Sequence, residues 1–408
     1  MTTKITFLNG LDTIGGNIVS FSEAGTRILM DFGTPGDPRE EDSIADLINK
    51  GILPDTPELF EQNGQQKFQQ QAIFISHLHI DHIGALKFLK PKLPIYMSRD
   101  SKKLYQSLIK EGDEAKVDDL VAVDYEKTIS FGPFKITFYQ SDHDIIGASA
   151  IKVEDDNGHV FCYSGDVRYN GPFSSRVDNW TDAFSQARPD ILLLEGTSFS
   201  FDDEDKKEDH LPNASKNVEG DLISNFENRI TSNHLVVINP YPRNVERLFA
   251  LDRSAAGFGR PIVWEKFYAN LIREFFPQAA PLVLGKDVDI SQIISYPENF
   301  VLQNSYKNID LLKDFYKPVF LQMNGEPLGD YDPRYSVQQE KLKKFGADFV
   351  YAGASGHALK NDLVKIAKRV DAKVTVPWHS FKPEKEADAL KQAGLKTELF
   401  SKNQSISF

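Results

Sequence analysis

Over the first 200 residues, short apolar runs of four to seven residues recur between turn residues, the spacing of a β-rich domain. Strands are predicted over Lys4–Leu8, Asn17–Phe21, Arg27–Phe32, Ala72–Ser76, Thr128–Phe131, Phe134–Gln140, Ala148–Val153, His159–Ser164 and Ile191–Glu195, with helices near 83–90 and 100–111. Strands outnumber helices, which points to a layered α/β sandwich. At Phe199-Ser200-Phe201-Asp202-Asp203-Glu204-Asp205-Lys206-Lys207-Glu208-Asp209 apolar periodicity gives way to a charged run, and a solvated linker and domain boundary are expected there. From about residue 217 the pattern alternates: helix Val218–Ile230, strand Leu235–Asn239, helix Val245–Ala256, strand Pro261–Val263 and a helix from about Glu265. That order predicts a parallel-sheet unit. A further strand at Phe349–Ala352, a helix at Leu359–Val370 and a strand at Lys373–Val376 follow, with no internal repeat.

A chain of 408 residues exceeds the usual single domain, so two are expected. No apolar run has the length of a membrane span, and Met1 to Gly10 lacks the basic start and apolar stretch of a secretory signal, so no membrane association and a cytoplasmic location are expected. The single Cys162 cannot pair within the chain and is expected to pack in a strand. A net charge of −12 weighs against a polyanionic partner, but the charge is uneven. Residues 206–352 hold 18 Lys and Arg against 19 Asp and Glu, whereas the remainder holds 29 against 40. Two bound dications would add +4 among the site carboxylates and make the local field positive.

The chemistry concentrates in His77-Leu78-His79-Ile80-Asp81-His82, which follows the apolar run Ala72 to Ser76. Extended backbone sends His77 and His79 to one side, where both reach one ion. The turn into Gly84 to Leu89, predicted to start a helix, would aim Asp81 and His82 at a second ion. His143, after a strand in Ser141-Asp142-His143-Asp144, could complete the first ion's shell; Asp166, after another in Ser164-Gly165-Asp166, could bridge the two. Taken alone, one is a surface histidine and the other a turn residue. Asp31 ends a strand, either as an ordinary turn residue or as hydrogen-bonded support for a ligand imidazole. His357 in Ala354-Ser355-Gly356-His357-Ala358 stands at a strand-to-helix junction, where backbone donors and a helix N-terminus could hold a phosphate oxygen. His379 follows Pro377-Trp378 at a strand end; either of these two histidines could instead be structural.

This set resembles the metallo-β-lactamase fold, and within it the β-CASP nucleases, most closely of the ribonuclease J type. The family's motifs are matched by Asp31, by His77, His79, Asp81 and His82, by His143 and by Asp166. The β-CASP additions are matched by Glu195 in Leu194-Glu195-Gly196-Thr197, by His357 in Ser355 to Ala358, and by His379. Asn244-Val245-Glu246-Arg247 and Gly325-Glu326-Pro327 are weaker echoes. The chain departs from the typical pattern in stopping at Phe408 and in flanking His379 with Trp378 and Ser380.

The resemblance implies a metallo-β-lactamase αββα sandwich, residues 1–205 and 353–408, with an inserted parallel α/β β-CASP domain, 206–352. It implies one ion on His77, His79 and His143, another on Asp81, His82 and His379, and Asp166 between them. Two Zn²⁺ are expected, with Mn²⁺ the alternative. The implied activity is a metal-dependent 5′-3′ exonuclease and/or endonuclease acting on single-stranded RNA through a metal-activated hydroxide, giving 5′-phosphates. Asp81, His357 and Glu195 are the further catalytic candidates; Ser355, Gly356, His357, Arg243 and Arg247 are the candidate substrate contacts, the arginines being equally ordinary on a solvated helix. The alternatives are a single-stranded DNA nuclease and a small-molecule hydrolase of the same fold acting on a thioester, lactone or phosphoester. A homodimer is the open question of assembly.

Overall fold

The computed structural model describes residues 2–36, 38, 41–61, 67–201 and 219–408. Its contacts divide the chain into one unit of Met1–Asp202 with Gly356–Phe408 and another of Asp203–Ser355. The joins expected at 205/206 and 352/353 and these divisions stand three residues apart. The first join and the charged run from Asp202 to Asp209 lie outside the described residues.

The first unit holds two sheets. The seven-stranded sheet runs in the order Ser405–Ser407, Lys4–Asn9, Ile18–Glu23, Thr26–Met30, Gln70–Phe74, Ile95–Ser98, Leu120–Val123, antiparallel up to Thr26–Met30 and parallel beyond it. The six-stranded sheet runs Val374–Trp378, Ile191–Glu195, Val160–Tyr163, Ser149–Glu154, Phe134–Gln140, Thr128–Phe131, with the first three strands parallel. Alternate residues fill the space between the sheets, because side chains on a strand repeat every second position. Ile5/Phe7, Val19/Phe21 and Ala72/Phe74 meet Ile136/Phe138, Phe161/Tyr163 and Val376/Trp378 there. The intervening residues of the second sheet, Ala150, Cys162, Leu192 and Leu194, pack on Trp180 and Phe184 of the helix Ser174–Ala187 and on Leu363 and Ile366 of the helix Lys360–Val370. The helix Arg99–Glu111 packs on the two outer parallel strands of the first sheet. The layers are therefore helix, sheet, sheet, helix, the expected αββα sandwich.

The second unit is a single parallel sheet, ordered Leu282–Val283, Ile262–Trp264, Val301–Gln303, Val236–Pro240, Val319–Met323, Asp348–Tyr351. Helices Glu219–Ser232, Val245–Gly257 and Lys266–Phe275 cover one face. Leu342 of helix Pro333–Lys344, with Ile309 and Leu312, covers the other. This is the expected inserted α/β unit of parallel strands. Among the described residues no helix is long and apolar enough to cross a membrane.

Two predicted elements differ in a way that bears on the site. The strand expected to reach Phe32 stops at Met30, because Asp31 turns into the left-handed region at φ +57°. The helix expected over 83–90 is instead a four-residue helix, Ile80–Ile83, followed by a short 3₁₀ turn, Leu86–Phe88. Its ending at Gly84 keeps Asp81 and His82 inside the only full turn of that segment.

Candidate metal centre

Every histidine and carboxylate of the cluster stands at or just beyond the C-terminal end of a strand. Asp31 follows Thr26–Met30, the His77 to His82 turn follows Gln70–Phe74, His143 follows Phe134–Gln140, and Asp166 follows Val160–Tyr163. Glu195 ends Ile191–Glu195, and His379 follows Val374–Trp378. Parallel neighbours deliver these ends to the same edge of their sheets.

The turn that carries four of them is clamped by backbone. Phe32 N donates to His82 O at 2.8 Å, Asn17 N to Asp81 O at 3.1 Å, and Thr34 N to Ile80 O at 3.2 Å. The approach is so close that a β-carbon on Gly33 would fall 1.6 Å from Asp81 O, so only glycine fits. His379 is held by its own N–H on Gly10 O at 2.9 Å and adopts φ +54°. A left-handed histidine costs about 1–2 kcal/mol, which the surrounding contacts must offset.

Two groups of donors result, His77, His79, His143 and Asp166, and Asp81, His82, Asp166 and His379; within each, the facing atoms lie within 4.8 Å of one another. Asp166 belongs to both. Its Oδ2 stands 3.3 Å from His82 Nε2, 3.5 Å from His379 Nε2, 3.7 Å from His77 Nε2 and 3.8 Å from His143 Nε2. Asp81 Oδ2 lies 3.6 Å from His379 Nε2. Donors bound at 2.0–2.1 Å to one tetrahedral ion stand roughly 3.4 Å apart.

The outer nitrogens explain why the inner ones are lone pairs. Asp31 Oδ2 accepts from His82 Nδ1 at 2.7 Å and from Tyr163 Oη at 2.5 Å, and its Oδ1 accepts from Ser76 N at 2.7 Å. His77 Nδ1 faces Ser76 Oγ at 3.0 Å, and His143 Nδ1 donates to Gly356 O. With those protons turned outward, Nε2 of each ring faces the cluster, that of His82 beside Asn17 Nδ2 and that of His143 beside His79 Nδ1 at 3.1 Å. Both oxygens of Asp166, His77 Nε2 and His379 Nε2 are buried without a hydrogen bond among the described residues. Buried polar atoms are rarely left so, and lone pairs facing lone pairs demand a positive partner. The residues fit a pair of metal ions.

The charges agree. Burial, then the neighbouring His82, holds His77 well below its ordinary value, and burial takes His79 down to about 4, so both rings are neutral. Burial also lowers His379. For His82 burial works downward, but the carboxylates of Asp166, Asp31 and Asp81 outweigh it and raise the ring well above the usual imidazole range. Burial would raise Asp166, yet the charges of His379 and His82 hold it well below the usual carboxylate range. The carboxylates thus draw positive charge to this point, as a proton on His82 or as a cation that would displace it.

His357 joins the edge of the cluster, its Nδ1 3.1 Å from Glu195 Oε1 and 3.9 Å from Asp166 Oδ2. Glu195 is fully buried and also accepts from Thr197 N at 3.0 Å and Val167 N at 3.3 Å. Burial works to lower His357, but Glu195, then Asp166 and Asp144, raise it to about 10. Gly356 lies in the same unit, whereas Ser355, Arg243 and Arg247 belong to the other.

Arg247 is a correction. It was a candidate phosphate contact on a solvated helix, but it is 2 % exposed. Its Nε and Nη2 donate to Glu219 at 2.5 and 2.8 Å, and its Nη1 donates to Asn324 Oδ1 at 2.9 Å and Met323 O at 3.2 Å. The guanidinium is committed to its own unit's core. Arg243 is half-buried.

The sequence reading passed over Asn17, Ser76 and Tyr163. Asn17 is buried, with Nδ2 2.9 Å from His82 Nε2 and 2.5 Å from His379 Nδ1. The glycine pair before it was the one available signal.

Residues 52–214 match the beta-lactamase superfamily domain. Ribonuclease J of Mycoplasma genitalium is 30% identical over 172 residues, which are 41% of this chain and 28% of that protein, so the chain spans under a third of that relative's length. Ribonuclease J2 of Bacillus subtilis is 23% identical over 397 residues, 92% of this chain and 68% of that protein. A crystal structure of a protein of unknown function from Enterococcus faecalis matches at a TM-score of 0.86 and 25% identity, over 100% of both chains. The match to the beta-lactamase superfamily domain over residues 52–214 agrees with the metallo-β-lactamase resemblance drawn from the motifs, and the similarity to ribonuclease J extends across most of the chain.

Proposed function

We propose that this protein is a metal-dependent phosphodiester hydrolase, a ribonuclease J-like nuclease that cuts single-stranded RNA and leaves 5′-phosphates. One observation supports the reading: five imidazoles gather in two groups around the buried carboxylate of Asp166, and both its oxygens, His77 Nε2 and His379 Nε2 have no hydrogen-bond partner among the described residues. Two divalent cations held there, zinc by the donor set and manganese as the alternative, would make a shared water acidic near neutral pH and offset charge on the phosphate.

The chain's own groups then divide the work. Asp81, whose side chain is 20% exposed, is the carboxylate of the cluster that substrate reaches most easily, and it orients the attacking water. His357 carries a proton at neutral pH, and with Nδ1 held by Glu195 it presents Nε2–H to a non-bridging phosphate oxygen. Glu195 is a positioning residue, fixing the ring from below. Arg243 stays a candidate contact for the RNA backbone; Arg247 does not.

The test is digestion of end-labelled single-stranded RNA, 5′-monophosphorylated and 5′-triphosphorylated, with matched single-stranded DNA beside it. Chelator-sensitive cleavage of RNA is expected, and laddering from one end separates an exonuclease from an endonuclease. Intact RNA together with turnover of a small ester would move the reading to a small-molecule hydrolase.

A further inference from the structure

The sheet of the second unit ends on the strand Asp348–Tyr351, which pairs with Val319–Met323 on one side and, among the described residues, with no strand on the other. Val319–Met323 is buried throughout, whereas Asp348 is exposed and Phe349, Val350 and Tyr351 are only half-buried. Proteins commonly blunt such an edge with lysine, proline or a bulge, and Phe349-Val350-Tyr351 has none of these. Beside it lies a concavity of about 550 Å³, between the start of that strand and the helix Pro333–Lys344. Leu342 and Phe349 form its apolar wall, and Gln339 adds an Nε2 that is buried without a hydrogen bond among the described residues.

Charge and exposure say what fills it. The turn before Val319–Met323 brings Lys317 to the rim, and the adjoining Tyr316 is 80% exposed, more than any other large apolar side chain among the described residues. Lys317 and Lys343 on the rim are matched by Glu340 and Asp348, so the rim is neutral and does not favour a polyanion. A rim with both signs is self-complementary across a two-fold axis, where each lysine can face a carboxylate of the other copy. The wider charge agrees. Residues 206–352 hold 18 Lys and Arg against 19 Asp and Glu, while the remainder holds 29 against 40, so two copies repel each other least through this unit.

We propose that a second copy of this chain docks on this edge: the two Asp348–Tyr351 strands pair antiparallel, continuing one sheet into the other, and Tyr316 of each copy fills the concavity of its partner. A two-fold axis perpendicular to the strands produces that antiparallel pairing, and pairing satisfies the outer backbone groups of both edges at once. Tyrosine suits the space chemically. Its ring meets Leu342 and Phe349, and its Oη accepts from Gln339 Nε2. The inference does not depend on the metal chemistry.

The experiment follows the full chain by sedimentation velocity over a concentration series, with hydrogen exchange of the Phe349, Val350 and Tyr351 amides read alongside. Wild type is expected to pass from monomer to dimer, and exchange along the strand to slow as the dimer forms. Tyr316→Ala should raise the dissociation constant roughly 10–100-fold, the range for removing an aromatic anchor. Lys343→Glu should raise it about tenfold, and adding Glu340→Lys should recover most of that loss, because the rim regains both signs. All three side chains are exposed, so thermal unfolding of the variants should match wild type. A wild type that stays monomeric throughout the series overturns the proposal, as does a dimer that Tyr316→Ala leaves equally tight, with exchange along the strand independent of concentration. A single-stranded oligoribonucleotide that slows those amides in a monomer would make the edge a nucleic-acid contact and overturn it too.

Discussion

Two strand-to-helix turns in this chain bury charged side chains, and they do so to opposite ends. After the strand Gln70–Phe74, the turn through His77 and His82 collects imidazoles and carboxylates around Asp166, with Asp166 Oδ1 and Oδ2 and His77 Nε2 lacking a hydrogen bond among the described residues. After the strand Val236–Pro240, the turn through Asn244 and Arg247 closes on itself: Asn244 Oδ1 accepts from Arg247 N at 3.1 Å, and the guanidinium meets both oxygens of Glu219. His77, His82 and Asp166 are buried much as Arg247 and Glu219 are. The difference is that donors meet acceptors in one, while acceptors meet acceptors in the other, and only the latter calls for a cation from outside.

The largest expected effect breaks the first region. Asp166 is the donor common to both groups, so Asp166→Ala should lower the affinity of both ions by roughly a hundredfold or more, above the range for groups that merely support a ligand. Elemental analysis after dialysis is the measurement. Two ions retained in the variant would mean that the groups do not share a carboxylate.

The second region should respond in stability and not in metal. Glu219→Ala strands the buried Arg247 charge and is expected to cost about 3–5 kcal/mol in denaturant unfolding, with metal content unchanged. Replacing both partners, Arg247→Met with Glu219→Leu, should recover most of that loss, because an apolar pair leaves no charge uncompensated. A double variant as unstable as the single one would show that the pair contributes more than its own neutralisation.

The same contrast explains what the sequence could tell. His77, His79, Asp81 and His82 were legible because histidine and aspartate at that spacing carry their chemistry with them. Arg247 was not, because a guanidinium suits phosphate and Glu219 equally, and only burial decides between them. Asp31 was ambiguous for a related reason: its partners Tyr163 and Ser76 lie far away in the chain. In the fold, alternating strands such as Phe134–Gln140 were found to the residue. Parallel strands such as Ile95–Ser98, Val301–Gln303 and Val319–Met323 were missed, since a parallel strand buried on both faces reads as a short apolar run without a period of two.

The smallest effect sharpens the comparison with a second glutamate. Glu195 is buried but accepts from Thr197 N, Val167 N and His357, whereas Glu386, on the helix Pro383–Gln392, is buried with neither oxygen hydrogen-bonded among the described residues. It presses on Gly196, where a β-carbon would fall 2.2 Å from its Oε2. Burial, with the charge of Glu195 adding to it, pushes the Glu386 carboxyl well above the usual carboxylate range. The folded chain therefore keeps a proton that the unfolded chain releases once pH exceeds the ordinary glutamate value. Stability falls as pH rises from there toward the raised value. Glu386→Gln keeps the shape and removes the titration, so its unfolding midpoint should match wild type near pH 4 and exceed it progressively toward pH 8. A difference between the two that stays constant over that range would mean that Glu386 is ionised in the fold, and that a cationic group or water reaches it.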